Sequence, residues 1–342
     1  MNLKNLSVIT KIPNSLKQKL KNKKINQIYN KFEKSLGLNE KFLVAVSGGP
    51  DSLALAFLAK IYSIKKRLAV KFIIIDHKLR SQSTKEAKHV KKILKKYYID
   101  CEILTWKGKK PSKNIQSLAR QKRYELLFKK SDKYKINNIL LGHHQDDKLE
   151  NFFIRLLRGS GLNGLVSFDL KSKIRNKNLL RPLLDQKKED LIYIAKYVFN
   201  FFVTDPSNYD DKYQRIRIRK LILELHKNGL NKKLFDKTIQ NLKSSNETAN
   251  FYVLENLKKN TFYSPKRNQL IISKSFFEQP YEIVFRAFSK SIRLVGKKFY
   301  SVRGKKVDKI VKDIKKGGSF RATLGGCIIE KANQSVIISK EH

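Results

Sequence analysis

The sequence predicts an α/β fold, a doubly wound parallel sheet followed by a smaller α+β C-terminal region. Between residues 42 and 200, short apolar runs alternate with segments of helical spacing, the pattern of repeated βα units. Three of the runs end directly on polar clusters, at residues 47–52, at Asp76-His77 and at Gly142-His143-His144. Ligands bind beyond the strand C-termini of such sheets. After Gly296 the pattern changes to short alternating runs split by Gly325-Gly326 and Ala332-Asn333, which read as antiparallel strands.

The elements follow in order. Residues 42–46 form an apolar strand, and residues 53–60 a helix-like segment behind a glycine turn. The β-branched run at 68–75 reads as a buried strand. Helical spacing covers 84–97, a short strand 101–106, and a second helix 115–128 with Leu118, Leu126 and Leu127 inward. A strand over 138–141 precedes a helix over 146–157. The polar stretch 227–231, with Gly229, marks a boundary; helices are expected at 232–258, 275–294 and 305–316, and strands at 319–324, 327–331 and 336–340. The expected division is a nucleotide-handling domain over 1–228, a mostly helical linker domain over 229–296 and a small α+β tail over 297–342.

The hexapeptide Ser47-Gly48-Gly49-Pro50-Asp51-Ser52 is the most informative segment. Strand, glycine turn and helix together aim backbone N–H groups and a positive helix end at an anion. Two glycines let the backbone curl closely around it, and Ser47 and Ser52 add hydroxyls. Asp51 repels a bare phosphate, so a divalent cation is expected between them. The loop lacks the Gly-Lys-Ser/Thr ending of a Walker loop and the Gly-x-Gly-x-x-Gly of a dinucleotide fold. It resembles the pyrophosphatase loop of enzymes that split ATP into AMP and pyrophosphate.

In the second cluster, a helix starting near Gln145 puts Asp147 and Glu150 on one face and Asp146 about a quarter-turn away. Acids at a helix start complement its dipole; three acids and two histidines beside a nucleotide loop exceed that need. Asp51 and Asp147 are the candidate metal-holding acids.

The 342 residues carry 75 Lys+Arg against 29 Asp+Glu, a formal net charge of +46. A balance this basic points to a polyanion, most often nucleic acid. Part of the excess follows the Lys-, Asn- and Ile-rich composition, so arginine is the sharper signal, at Arg120/Arg123, Arg155/Arg158 and Arg215/Arg217/Arg219. Alternation with Ile216 and Ile218 suggests an extended segment with arginines on one side for RNA contact; the alternative is a basic helix start before Leu221. The two cysteines, Cys101 and Cys327, form no metal spacing and no reactive pair, so no zinc or iron–sulfur cluster is expected. Met1-Asn2-Leu3-Lys4 opens no signal-peptide apolar region and no run is long enough to span a bilayer. The expectation is a cytoplasmic protein without a membrane partner.

Seven motifs in order carry a family resemblance. They are the loop 47–52, Asp76-His77-Lys78-Leu79-Arg80, Gln116-x-x-Ala119-Arg120-x-x-Arg123-Tyr124, Gly142-His143-His144-x-Asp146-Asp147-x-x-Glu150, Leu157-Arg158-Gly159-Ser160-Gly161, Arg181-Pro182-Leu183-Leu184 and Asp205-Pro206-Ser207-Asn208. Over roughly residues 40–222 the chain resembles the tRNA(Ile)-lysidine synthetases, whose catalytic fold is adenine-nucleotide alpha hydrolase-like. It departs from them at Asn151, where Thr is usual, at Ile216, where Asn is common, and in a tail shorter than the longest members have.

The resemblance implies a ligase that uses ATP and Mg2+ to join free L-lysine to C2 of the wobble cytidine in tRNA(Ile) with a CAU anticodon. The C2 oxygen is adenylated with release of pyrophosphate; the lysine ε-amine then displaces AMP. The product pairs with A instead of G and changes the charging identity from methionine to isoleucine. In these terms Ser47, Gly48, Gly49, Pro50, Asp51 and Ser52 cradle the phosphates, and Asp76, His77, Gly142 and His143 border the nucleotide. Asp51 and Asp147 hold the metal, and Asp147 or Glu150 orients the lysine ammonium. Arg120, Arg123, Arg215, Arg217 and Arg219 meet the RNA. A tRNA thiolase would need reactive cysteines, an amidotransferase a glutaminase nucleophile, and a bare RNA-binding module would not need Asp51 and Asp147 together. The sequence leaves the oligomeric state open, a homodimer included.

Overall fold

Strands that are apolar on both faces need helices on both sides. The computed structural model describes residues 12–106, 108, 115–204, 212, 214–297, 302 and 304–341, and it shows two units divided between Leu230 and Asn231.

The first unit opens with helices α1 (Asn14–Leu20) and α2 (Lys23–Leu36). It then alternates through β1 (Phe42–Val46), α3 (Pro50–Lys65), β2 (Val70–Asp76), α4 (Ser83–Lys95), β3 (Cys101–Thr105), α5 (Ile115–Lys133), β4 (Asn138–Leu140) and α6 (Gln145–Leu156). A short α7 (Leu162–Leu165), a hairpin of β5 (Lys171–Ile174) and β6 (Lys177–Leu180), α8 (Lys188–Phe199) and α9 (Gln214–Lys227) complete it. The sheet order is β3-β2-β1-β4-β6-β5, parallel throughout except for β5. Val44 lies between Phe72 and Leu140. The chain steps outward from β1 to β3 and then places β4 on the other side of β1. That reversal opens a crevice at the C-terminal ends of β1 and β4.

The central helix α3 is buried from Ser52 to Ile64 and packs on α8, with Phe57 edge-on to Phe199. Pro50 at its first position presets the helical φ and gives up no needed donor. Every strand and helix expected between residues 42 and 157 is present, with α5 running on to Lys133. The β5–β6 hairpin and the two leading helices were not expected.

The expected extended arginine segment is corrected. Residues 214–227 form helix α9, not an extended segment, so the alternative of a basic helix start holds. Ile216, Ile218 and Ile222 are buried while Arg217 is exposed. Helical spacing from Ile218 to Ile222, four residues apart, outweighs the local two-residue alternation.

The second unit comprises α10 (Lys232–Asn260), β7 (Thr261–Ser264), β8 (Gln269–Ile272), a 3-10 turn (Lys274–Phe276), α11 (Tyr281–Gly296), α12 (Gly304–Lys316), β9 (Phe320–Leu324), β10 (Cys327–Ala332) and β11 (Ser335–Lys340). Its antiparallel sheet runs β7-β8-β11-β10-β9. Val284, Phe288 and Ile292 of α11 share one core with Val307 and Val311 of α12 and with Cys327, Ile329 and Ile338. The residue 296/297 division therefore runs through a single core: strands on both sides of it hydrogen-bond into one sheet. Among the described residues, no helix is long and apolar enough to cross a membrane.

Candidate active site

The loop after β1 is organised from within. Ser52 Oγ accepts the N–H groups of Ser47 (3.1 Å) and Gly48 (3.0 Å) and donates to Gly49 O (2.9 Å). Ser52 thus shapes the turn rather than offering its hydroxyl outward, and the Ser47 and Gly48 amides are spent on it. Among the described residues, the N–H groups of Gly49, Asp51 and Ser52 donate to no protein acceptor, as expected for a helix start. Gly48 has φ +88°, and a Cβ there would meet Val90 Cγ2 at 2.7 Å. Gly48 O accepts Val203 N–H at 2.9 Å, and Phe201 and Phe202 anchor that strap against the core. Gly142, at the end of β4, lies so close that a Cβ would stand 3.1 Å from the Asp51 carbonyl and the Ser52 nitrogen. Its smallness lets β4 approach the loop.

His144 joins the two motifs, and sequence reasoning did not single it out as a site residue. It caps α6: Nδ1 accepts the Asp146 N–H (3.3 Å), while Asp147 Oδ2 accepts the His144 N–H (2.9 Å). With Nδ1 accepting, the ring proton sits on Nε2. That nitrogen stands 3.8 Å from Asp51 Oδ2 and 3.6 Å from Asp147 Oδ2. Its position as a capping residue three before an acid was the available signal.

Asp147 and Glu150 share the inner face of α6, and both are buried. They hold cations of the chain itself. Arg215 of α9 bridges Asp147 Oδ1 and Glu150 Oε2, and Arg219 Nε donates to Glu150 Oε1 at 2.6 Å. Burial pushes the Asp147 carboxyl up, but Arg215, then the two histidines and the His144 N–H, hold it below the ordinary range. Asp51 behaves oppositely: burial raises it, His144 pulls it down, and Asp147 pushes it up again. Two of the arginines expected to meet RNA thus neutralise the acid pair.

The neighbouring strand ends differ from each other. Asp76 is saturated: Thr84 Oγ1 (2.6 Å), Lys78 N–H (3.0 Å) and Ser83 Oγ (2.9 Å) all donate to it. Burial raises its carboxyl, but those bonds bring it below the ordinary range. It builds the turn before α4. His77 Nε2 accepts Arg123 Nε at 3.4 Å, and burial lowers its pKa to about 4. His143 lies edge-on to Phe168, and burial lowers it to about 3.

Among the described residues, seven buried side-chain polar atoms lack a hydrogen-bond partner. Five of them, Asp51 Oδ1, His77 Nδ1, His143 Nδ1, Gln145 Oε1 and Arg181 Nε, follow strands β1, β2, β4 and β6 at the C-terminal edge. Leaving such groups unsatisfied costs about 1–3 kcal/mol each, so their concentration marks a place for a polar ligand. Asp51 Oδ1 suits a hard cation. Mg2+ commonly takes one or two carboxylates and completes its shell with phosphate and water. Asp147 does not offer the same, because both its oxygens are engaged. No group of three or more His, Cys, Asp or Glu among the described residues is arranged to hold a metal.

Asn151 Oδ1 accepts Arg155 Nε at 2.7 Å, and Arg217 Nη1 donates to Lys212 O at 3.1 Å. The motif at 205–208 lies outside the described residues, as does the side chain of Gln116. Cys101 and Cys327 are buried in strands of separate units; burial raises the Cys101 thiol.

A model of the PP-loop domain matches residues 17–226. The tRNA(Ile)-lysidine synthase of Orientia tsutsugamushi (strain Boryong) is 34% identical over 316 residues, 89% of this chain and 70% of that protein. The protein of the same name from the Wolbachia of Brugia malayi is 32% identical over 308 residues, 89% of this chain and 71% of that one. Among solved structures, the U34-tRNA thiolase NcsA of Methanococcus maripaludis, described with its 4Fe–4S cluster, aligns with a TM-score of 0.56 at 19% identity, covering 66% of this chain and 79% of that one. At that identity the likeness speaks for the fold alone.

Proposed function

Because this chain belongs to the tRNA(Ile)-lysidine synthase family of PP-loop enzymes, we propose that it ligates L-lysine to C2 of the wobble cytidine of CAU-anticodon tRNA(Ile) at the expense of ATP, in the cytoplasm. The observation that supports this most is the union of the loop and the α6 acids through His144 at the β1/β4 crevice.

The first step forms a bond between the cytosine C2 oxygen and the α-phosphorus and breaks the bond to pyrophosphate. The free N–H groups of Gly49, Asp51 and Ser52 and the α3 N-terminus receive the phosphate charge. Asp51 is the residue that would hold Mg2+, which neutralises the departing pyrophosphate when bound. Asp147 is too engaged to serve as a second ligand while Arg215 stays.

In the second step the lysine ε-ammonium must lose a proton before its nitrogen attacks C2 and AMP departs with the oxygen. The Asp147–Glu150 pair already binds guanidinium groups, so it is chemically matched to orient a substrate ammonium. His77 and His143, both held neutral, present unpartnered ring nitrogens to the nucleotide. Arg120, Arg123 and Arg217 face the RNA, with Arg215 and Arg219 assigned to the acids.

The test is reaction with ATP, Mg2+, labelled lysine and this tRNA, followed by nucleoside analysis. Label in a modified cytidine, with one AMP and one pyrophosphate per event, supports the reading. AMP formation without label in the RNA overturns it.

A further inference from the structure

Four arginines beside the centre carry no carboxylate of their own. Among the described residues, none of Arg120, Arg155, Arg158 and Arg181 forms an ion pair. Arg155 donates to Asn151 Oδ1 (2.7 Å) and Gly164 O (2.9 Å), Arg158 to Gln214 Oε1 (2.8 Å), and Arg120 to Tyr124 Oη (3.3 Å). Arg181 donates to Asp169 O (2.8 Å) and Ser172 Oγ (2.9 Å), while its buried Nε donates to nothing. Every one of these acceptors is neutral.

The four are linked pairwise, Arg155 to Arg120 and Arg158, and Arg181 to Arg120 and Arg155. Burial, then the charges of Arg120 and Arg158, disfavour the charged form of Arg155; burial, with Arg120 and Arg155 adding to it, disfavours that of Arg181. Asp169 is the acid whose field favours Arg181. The Arg181 guanidinium lies 4.8 Å from the Phe168 ring centre, and that ring stands 5.2 Å from His143. Arg181 thus brings the cluster to the segment that follows β4, next to the proposed reaction centre. Like charges gathered on neutral partners repel unless an anion joins them, and the guanidinium fork matches phosphate.

We propose that Arg120, Arg155, Arg158 and Arg181 bind successive backbone phosphates of the RNA loop whose base enters the crevice. This rests on the tRNA reading above and extends it to residues of α6, the turn after it and the end of β6. RNA is favoured over the free nucleotide because the cluster spans three elements, with Arg120 and Arg158 exposed, whereas the loop at 47–52 already serves one nucleotide.

The test uses the full chain, CAU-anticodon tRNA(Ile) and ATP, with binding measured between 50 and 200 mM salt, as is usual for counterion analysis. Arg120→Gln with Arg158→Gln should weaken tRNA binding about tenfold and reduce the salt slope by roughly 1.4 to 1.8 for two lost contacts, with ATP affinity unchanged. Arg120→Gln alone, which leaves the Gln214 bond intact, should reduce the slope by roughly 0.7 to 0.9. An unchanged slope in both variants overturns the cluster while leaving the tRNA reading standing. Lost ATP affinity with an unchanged slope assigns the arginines to the free nucleotide and also overturns it. A parent chain with no salt-dependent tRNA binding sinks the tRNA reading itself.

Discussion

The nucleotide loop and the acid pair on α6 are joined by one imidazole yet are finished in opposite ways. Around Asp51 the chain leaves a buried carboxylate oxygen and three amides without protein partners. Around Asp147 and Glu150 it supplies two guanidinium groups and a backbone N–H. A region that leaves polar atoms open loses stability and gains a place for substrate; a region that satisfies its own charges is stable without one. The two carboxyls accordingly shift in opposite directions from the same ordinary value.

Mutations should separate the two regions by sign. Arg215→Ala leaves Asp147 buried without its cation, so unfolding free energy should fall toward the lower end of roughly 3–5 kcal/mol, because Arg215 is partly exposed and Glu150 keeps Arg219. Equilibrium denaturation checks this, and an unchanged midpoint would remove the contrast. Asp51→Asn should do the reverse: turnover falls on the order of a hundredfold or more, while the melting temperature holds or rises, because a costly buried charge is gone. Near-normal AMP formation in that variant would count against a metal role.

Gly48→Ala places a side chain at φ +88° against Val90. It should cost about 1–2 kcal/mol and weaken ATP binding, measured by calorimetry, more than tRNA binding. The smallest effect is expected from acid. Burial holds His77 and His143 at about 4 and about 3, below the ordinary histidine range. Between that range and those values the unfolded chain takes up protons that the folded chain refuses. Stability from both is therefore complete above about pH 6.5 and drains away as pH falls through 4 toward 3. His143→Gln should flatten part of that slope in a series of urea midpoints.

Much of this was legible in the sequence because it rested on periodicity and punctuation. The apolar runs gave the strands, and the placement of polar residues after each run gave the crevice. The three-residue spacing of Asp147 and Glu150 gave their common face. What escaped depended on partners distant in the chain. Arg215 alternates with isoleucines in a way that imitates a strand, and only packing on α6 shows its burden. Ser52 looks like a phosphate donor until its hydroxyl is seen to close the turn. The β5–β6 hairpin is short and polar at Lys171, Lys173 and Lys177, so no alternation announced it. The adjacent Phe201 and Phe202, puzzling in isolation, fasten the strap over Gly48.

That strap has a consequence for biosynthesis. Gly48 is gripped by Val203, and the α6 acids by Arg215, so the earliest-made part of the pocket waits for some of the last-made residues of its unit. A nascent chain that has left the ribosome only through α6 has neither fastening. The pocket's polar groups therefore reach the arrangement seen here only once Val203 and Arg215 are in place.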